Sequence, residues 1–332
     1  MTPALQSVLS PAGPDAVLLS RFGWVLFAVG AAIFLFVAVL ICASVVRKRR
    51  RSWSRRLVVG GGLVLPLPLL ASLMFWSGWQ ASMLTWPFSG TRIQVTVVAH
   101  MWWWEVRYRD SVSGREAVLA NELRLPAGER VYLALGAADV LHAFWVPALA
   151  GKVDMVPGRI HGLTLRADKP GRYRGQCAEY CGTQHAAMAL EVVAVTPREF
   201  EAWLLQQAAP AGELPGRGGV ADERSVGGPR GALMASGDAG RITRRGHEVF
   251  LSARCNACHA VRGLAEGGTL GPDLTHIASR KHIAAGALPM SRAALIGWIA
   301  NPEAAKPGAR MPPSRLSPDD LHALASWLES LE

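Results

Sequence analysis

Two long apolar stretches near the start of the chain constrain its fold more than any other feature. The first covers residues 22–46 and is almost wholly apolar, and the second runs from about 57 to 79. A helix needs about 20 apolar residues to cross a bilayer, so each stretch is long enough. The second stretch contains several glycines and prolines, which membrane helices tolerate. The sequence therefore predicts a transmembrane hairpin within residues 1–90.

A cluster of basic residues separates the two stretches and accounts for much of the net charge of +10. Its members are Arg47, Lys48, Arg49, Arg50, Arg51, Arg55 and Arg56. By the positive-inside rule this cluster stays cytoplasmic, which puts both termini on the outer face. No nucleic-acid motif surrounds the cluster, so we expect no nucleic-acid partner. A signal peptide is the alternative for the first stretch, but the stretch is longer than a typical signal core and its charge follows it.

The pattern changes after the apolar stretches, and 332 residues leave room for two further domains. Short runs rich in β-branched residues, such as 93–98 and 131–135, alternate with turns such as 126–128 and 169–171. Short strands separated by Gly and Pro turns are typical of a β-sandwich. We expect this domain to cover residues 91–206.

One short segment of that domain, residues 176–188, contains two thiols, an imidazole and a thioether. They belong to Cys177, Cys181, His185 and Met188, and His142 lies upstream at a distance typical of a ligand from a separate loop. Soft sulfur beside imidazole favours copper over magnesium or calcium. A disulfide is the simplest alternative in an oxidising compartment. Zinc is another, although structural zinc sites rarely use methionine.

A second motif lies near the C-terminus, where Cys255, Cys258 and His259 form the C-x-x-C-H pattern of covalent haem c attachment. The thiols would form thioethers to the haem, and His259 would bind the iron. A redox-active cysteine pair or a zinc site is the alternative. Met311, followed by two prolines, is the candidate for the sixth ligand, with Met290 as the substitute. A His/Met pair suits electron transfer rather than oxygen binding.

The C-terminal domain, residues 241–332, is expected to end in a helix that Ser317 caps and Pro318 begins. We expect that helix to cross an earlier one carrying Gly246. Residues 207–240 are rich in Gly, Ala and Pro and predict a flexible linker. Cys42, within the first apolar stretch, is expected to be a packing residue.

The chain closely resembles subunit II of haem–copper cytochrome c oxidases in the hairpin, from about residue 93 to 203, and in the segment 151–159. The resemblance implies a cupredoxin Greek-key fold and a dinuclear copper centre, CuA. Two bridging thiolates, one histidine on each copper, a weak thioether ligand and a backbone carbonyl would hold it. By this resemblance the bridging thiolates would be Cys177 and Cys181, and the histidines would be His142 and His185. Met188 would be the thioether ligand, and Glu179 would supply the carbonyl. The Glu179 side chain matches a ligand to a magnesium shared with the catalytic subunit.

The C-terminal domain resembles class I cytochromes c, in the Met-Pro setting of Met311 and in the segment 271–274. The resemblance implies an all-α fold. Trp102 lies in a tryptophan cluster whose simplest role is packing. By resemblance, Trp102 is also where electrons from a donor enter the copper domain.

Together these features predict a multidomain membrane protein that resembles the caa-type oxidases. It would pass electrons from cytochrome c or another donor through haem c and CuA to haem in a catalytic subunit I, in an assembly that also includes subunit III. The location would be the bacterial inner membrane, multi-pass, with both cofactor domains on the periplasmic face. Two alternatives are the electron-input subunit of a nitric oxide or nitrous oxide reductase and a stand-alone membrane-anchored carrier.

Overall fold

The computed structural model describes residues 6–46, 55–84, 92–212 and 238–332. Its N-terminal part is helical: α1 is Pro14–Val46, α2 is Arg55–Val59, a π-helical turn covers Gly60–Val64, and α3 is Pro66–Leu84. Two of these segments, Pro14–Val46 and Gly60–Ser82, are long and apolar enough to cross a membrane. Most of the basic cluster, residues 47–51, lies outside the described residues.

Helix α1 begins eight residues before the predicted span. Pro14 occupies the first helical position and Asp15 lies in the first turn, where both residue types favour helix initiation. A prediction from hydropathy misses this start because the added turns are only partly apolar. Cys42 is exposed on α1, and its packing role stays a prediction.

The N-terminal end of α1 packs against the following domain. The Ala12 amide donates to the Ala148 carbonyl at 2.7 Å, and the Ala16 amide donates to Leu149 at 3.2 Å. A Cβ on Gly13 would lie 2.3 Å from the Arg166 carbonyl oxygen, so only glycine allows this approach. The start of α1 therefore lies directly against this domain.

The predicted β-sandwich is confirmed. Within the described residues it consists of two five-stranded sheets, ordered β3-β2-β1-β5-β8 and β4-β10-β9-β6-β7. The strands are β1 Ile93–His100, β2 Trp103–Asp110, β3 Glu116–Ala120, β4 Glu122–Pro126, β5 Val131–Ala137, β6 His142–Trp145, β7 Val153–Met155, β8 His161–Leu165, β9 Gly171–Cys177 and β10 Ala189–Val195. Alternate side chains of β1 and β5, such as Val97 and Leu133, are fully buried between the sheets.

Helix α4, Pro197–Ala208, closes this domain. Thr196 and Glu199 form a capping box at its N-terminus, and Trp203 packs edge-on against Tyr108 of β2. The helix extends beyond residue 206, so the first residues assigned to the linker are helical. Residues 213–237, the greater part of the predicted linker, lie outside the described residues.

The C-terminal domain is mainly helical, as expected. It contains α5 Asp238–Ser252, a short hairpin of β11 His282–Ile283 and β12 Leu288–Pro289, and then α6 Arg292–Ala300, α7 Pro302–Ala305 and α8 Pro318–Leu328. Ser317 caps α8 by accepting from the Asp320 amide. Helices α5 and α8 cross closely, because a Cβ on Gly246 would lie 2.2 Å from the Ala323 carbonyl oxygen.

Candidate metal centres

The soft ligands of the β-sandwich converge at one end of the domain. Strand β6 begins at His142 and β9 ends at Cys177, and the two strands pair with Phe144 opposite Cys177. This pairing places His142 Nδ1 3.7 Å from Cys177 Sγ. The ligand atoms of His142, Cys177 and Cys181 all lie within 4.8 Å of one another.

The loop between β9 and β10 completes this cluster. Cys181 Sγ lies 3.8 Å from Cys177 Sγ, 3.6 Å from His185 Nδ1 and 3.9 Å from Met188 Sδ. The Glu179 carbonyl oxygen is 3.1 Å from Cys177 Sγ. A disulfide has an S–S distance of about 2.05 Å, so these sulfurs are not bonded to each other. The arrangement has one imidazole beside each sulfur.

Asp139 fixes the tautomer of His142. The His142 Nε2–H donates to Asp139 Oδ1 at 2.9 Å, which leaves the Nδ1 lone pair facing the thiols. Burial alone would lower the pKa of His142, but the hydrogen bonds to Cys177 and Asp139 outweigh burial and raise it. Asp139 is itself held by the Met101 and Val140 amides, at 2.8 Å each.

One of the two thiols loses its proton easily and the other keeps it. The hydrogen bond from Cys181 lowers the pKa of Cys177, and His142 and the neighbouring backbone amides lower it further. The same hydrogen bond raises the pKa of Cys181. A thiolate is therefore available in the cluster before a metal binds, and a thiolate is the form that binds copper.

Trp102 lies directly against the cluster. Its indole Nε1–H donates to the Cys181 carbonyl oxygen at 2.8 Å. Gly182, with a φ of +111°, lies against the same ring: a Cβ there would be 3.0 Å from Trp102 Cζ2. A side chain at position 182 would thus be strained and also crowd the indole.

In the C-terminal domain, Cys255 and Cys258 are free thiols around a short 3₁₀ turn, Cys255–Ala257. His259 Nδ1–H donates to the Pro272 carbonyl oxygen at 2.7 Å, which leaves Nε2 available to a metal. Burial lowers the pKa of His259 and so favours the neutral, ligating form. A Cβ on Gly271 would lie 2.5 Å from the His259 ring, so glycine is needed to seat the imidazole.

Met311 and Met290 are both partly buried against the core of the C-terminal domain. Burial therefore does not distinguish the two methionines as the candidate sixth ligand. The choice of Met311 rests on the two prolines that follow it. The Glu179 carboxylate lies 3.7 Å from Lys152 Nζ, and both side chains are partly exposed.

Two residues of the sites were missed in the sequence. Asp139 stands three positions before His142, and a carboxylate so close to a predicted histidine ligand could have been recognised as its hydrogen-bond partner. Lys306 gave no signal, because its contacts are with Trp102 and Ala187, far away in the sequence.

Replacing Asp139 by alanine should weaken copper binding by about 10- to 100-fold, as is typical when a metal-bound histidine loses its hydrogen-bond partner. Competitive titration of the purified full-length chain against a copper chelator measures the change. Asp154→Ala, at an exposed position of β7, is the matched control and should bind copper as the wild type does. Equal affinity of the Asp139 and Asp154 variants would contradict the role assigned to Asp139.

Comparison with known proteins gives two family matches. Residues 112–195 match the family model of the cytochrome c oxidase subunit II periplasmic domain, and residues 243–332 match that of cytochrome c. Cytochrome c oxidase subunit 2 of Alkalihalophilus pseudofirmus is 34% identical over 241 residues, covering 72% of this chain and 61% of that protein. The Bacillus subtilis protein of the same name is 28% identical over 249 residues, covering 72% and 62%.

Among solved structures, the periplasmic domain of subunit II of cytochrome oxidase from Bradyrhizobium japonicum matches with 28% identity and a TM-score of 0.33. The match covers 36% of this chain and 95% of that domain. The chain spans about three fifths of the length of the two relatives named above. The two family matches together show similarity to the periplasmic domain of cytochrome c oxidase subunit II in residues 112–195 and to cytochrome c in residues 243–332.

Proposed function

We propose that this chain is the subunit through which electrons enter a bacterial terminal cytochrome c oxidase. In this proposal an external donor delivers electrons to covalent haem c, dinuclear copper receives them, and haem in a separate catalytic subunit reduces oxygen to water. The relatives reported above are named as subunit 2 of such an oxidase.

The copper centre would be held by the six ligands that the sequence indicated. The imidazoles of His142 and His185 and the thiolates of Cys177 and Cys181 would hold the copper, and Met188 and the Glu179 carbonyl would be the remaining ligands. The residues fit this centre: each thiol has an imidazole nitrogen within 3.7 Å, and the His142 tautomer leaves its Nδ1 free. Bound copper would supply one-electron chemistry in a site whose ligands are already in place.

The haem would be attached to Cys255 and Cys258, and His259 and Met311 would be the ligands of its iron. The Pro272 carbonyl fixes the orientation of the His259 ring, and Gly271 leaves room for it. These contacts would keep the imidazole in place while the haem changes oxidation state.

The observation that carries the proposal is the position of Trp102 between the two domains. Its indole N–H bonds to the carbonyl of Cys181, a proposed copper ligand. At the opposite edge of the ring, a Cβ on Gly308 of the C-terminal domain would lie 3.6 Å from Cη2 and Cζ3. Gly308 precedes Met311 by only three residues. This arrangement supports direct electron transfer between the domains at Trp102.

A cavity between α1 and the copper domain supports the proposal that a catalytic subunit binds there. A cavity of about 820 Å³ separates α1 from the β-sandwich, and its lining includes Trp145, Lys152 and Ala178. Ala178 follows the proposed ligand Cys177. We propose that subunit I approaches here, that Glu179 binds a magnesium shared with it, and that subunit III belongs to the same assembly.

The proposed location is the inner membrane, with two membrane spans and both cofactor domains in the periplasm. The backbone hydrogen bonds between the start of α1 and Leu149 support the placement of that end of α1 beside the copper domain. The basic residues between the spans would then be cytoplasmic.

The test is purification of the chain from its native membrane in mild detergent, followed by metal analysis, an optical spectrum and oxygen uptake. We expect copper and haem c on the chain, and oxygen consumption by a larger subunit that co-purifies. Isolation of the chain alone with both cofactors would instead identify a tethered electron carrier. Turnover of nitric oxide without oxygen uptake would identify a reductase subunit.

A further inference from the structure

The C-terminal domain docks on the copper end of the β-sandwich through a short segment, residues 306–310, which we call the docking loop. Gln184 Nε2 donates to the Pro307 carbonyl at 2.7 Å, and Lys306 Nζ donates to the Trp102 carbonyl at 2.6 Å and lies 3.5 Å from that of Ala187. The docking loop therefore contacts both the Trp102 segment and the loop that carries the proposed copper ligands.

Lys306 is the buried cation of this contact. Only 4% of its surface is exposed, and no carboxylate in the described ranges forms an ion pair with it. Burial lowers the pKa of Lys306 to about 8. Removing an ammonium from water is unfavourable unless it is hydrogen-bonded, so the Trp102 and Ala187 carbonyls must compensate in the docked state.

The other charged contacts between the domains are weaker candidates for holding this face. Arg310 Nη1 lies 3.5 Å from Asp139 Oδ2, but the Arg310 side chain is 65% exposed. Exposed ion pairs contribute little to stability because water and salt screen them. Arg262 and His276 donate to carbonyls of residues 207–209, where the chain leaves the copper domain. Those contacts, together with a pair of His282 Nδ1 and Glu191 Oε2 at 3.1 Å, hold the domains together away from Trp102.

We propose that Lys306 is the latch that closes the haem-bearing domain over Trp102, while the contacts at residues 207–209 act as a pivot. In the closed state Gly308 covers the outer edge of the partly buried Trp102 ring, so the access of a separate donor protein to that edge is restricted. The docking itself follows from the contacts above, whereas its consequence for electron transfer rests on the function proposed in the preceding section.

The wild-type chain provides the first test, by amine labelling of the full-length protein in detergent. Lys306 should react about tenfold more slowly than Lys281, because a buried group reacts only when the structure opens locally. Lys281 is an exposed residue of the same domain. Equal labelling rates for the two lysines would overturn the proposal, whatever cofactors the chain carries.

Charge reversal provides the second test. Lys306→Glu would place a carboxylate against two carbonyl oxygens, and Lys306→Met would remove the charge at similar size. Hydroxyl-radical oxidation of Trp102 should increase most in the Glu variant and less in the Met variant, and Lys281→Glu should match the wild type. Unchanged Trp102 oxidation in Lys306→Glu, with haem c attached as in the wild type, would refute the latch.

A measurement of electron transfer distinguishes the docking contact at Lys306 from the electron transfer proposed between the two domains. In a single turnover, Lys306→Glu should slow haem-to-copper transfer by about 100-fold, since docking raises the effective concentration of one domain near the other. If Trp102 becomes accessible and the transfer rate stays the same, the latch holds domains that do not exchange electrons at this face. The consequence for electron transfer is then wrong, while the docking contact stands.

Discussion

Replacing Cys181 by serine is expected to abolish the dinuclear copper centre. Its sulfur is the atom shared by both halves of the cluster, 3.8 Å from Cys177 Sγ and 3.6 Å from His185 Nδ1. A hydroxyl is a poor ligand for copper compared with a thiolate. Copper binding should fall by more than about 100-fold, because loss of a ligand exceeds the effect of losing its supporting hydrogen bond. Metal analysis and the optical spectrum of the purified chain measure the loss.

Cys42→Ser is the matched control for this substitution, since Cys42 lies on α1, away from the cluster. The haem c spectrum of the Cys181 variant should remain that of the wild type, because Cys255 and Cys258 belong to another domain. A Cys181→Ser chain that kept its full copper content would contradict the ligand assignment.

Replacing Gly246 by alanine is expected to destabilise the C-terminal domain by about 3 kcal/mol, the upper range for inserting a methyl group into a packed core. The added Cβ would lie 2.2 Å from the Ala323 carbonyl oxygen and 2.5 Å from the Trp327 Cβ. Both contacts involve atoms close to the backbone of α8, so the helices must move apart. Thermal unfolding followed by the haem absorbance measures the change.

Gly297 gives an unusually close control, because it too is a helical glycine of this domain. A Cβ at position 297 would meet no atom within 4 Å. Gly297→Ala should therefore stabilise α6 by about 0.5–1 kcal/mol, the usual gain from replacing glycine in an exposed helix. Similar stabilities of the two alanine variants would show that the α5–α8 crossing is not the tight contact described here.

The clustering of the proposed copper ligands could be predicted from the sequence because most of them lie in one loop. The spacing of Cys177, Cys181, His185 and Met188 is a local property, and the loop keeps these side chains together whatever the rest of the chain does. His142 is the distant member, and its position depends on the pairing of β6 with β9. Periodic runs and turn residues indicated a β-sandwich, although the order of its strands was not predicted.

The contacts that depend on tertiary packing could not be predicted in this way. Lys306 lies in a polar turn, and only the docked arrangement brings its ammonium to the Trp102 carbonyl. Composition alone also misplaced the ends of the linker, because α4 continues to Ala208 and α5 begins at Asp238. Glycine and alanine in those segments favoured neither helix nor coil strongly enough to locate the boundary.

The early start of α1 bears on how the protein can be dissected. At about 1.5 Å per residue this helix is about 50 Å long, whereas the hydrocarbon core of a bilayer is about 30 Å thick. Gly13, immediately before the helix, and Ala16 in its first turn fit against Arg166 and Leu149 of the β-sandwich. A water-soluble fragment cut immediately before β1 would omit a segment that belongs to the same folded body. The boundary between lipid and water and the boundary of the folding unit thus fall at different places in this chain.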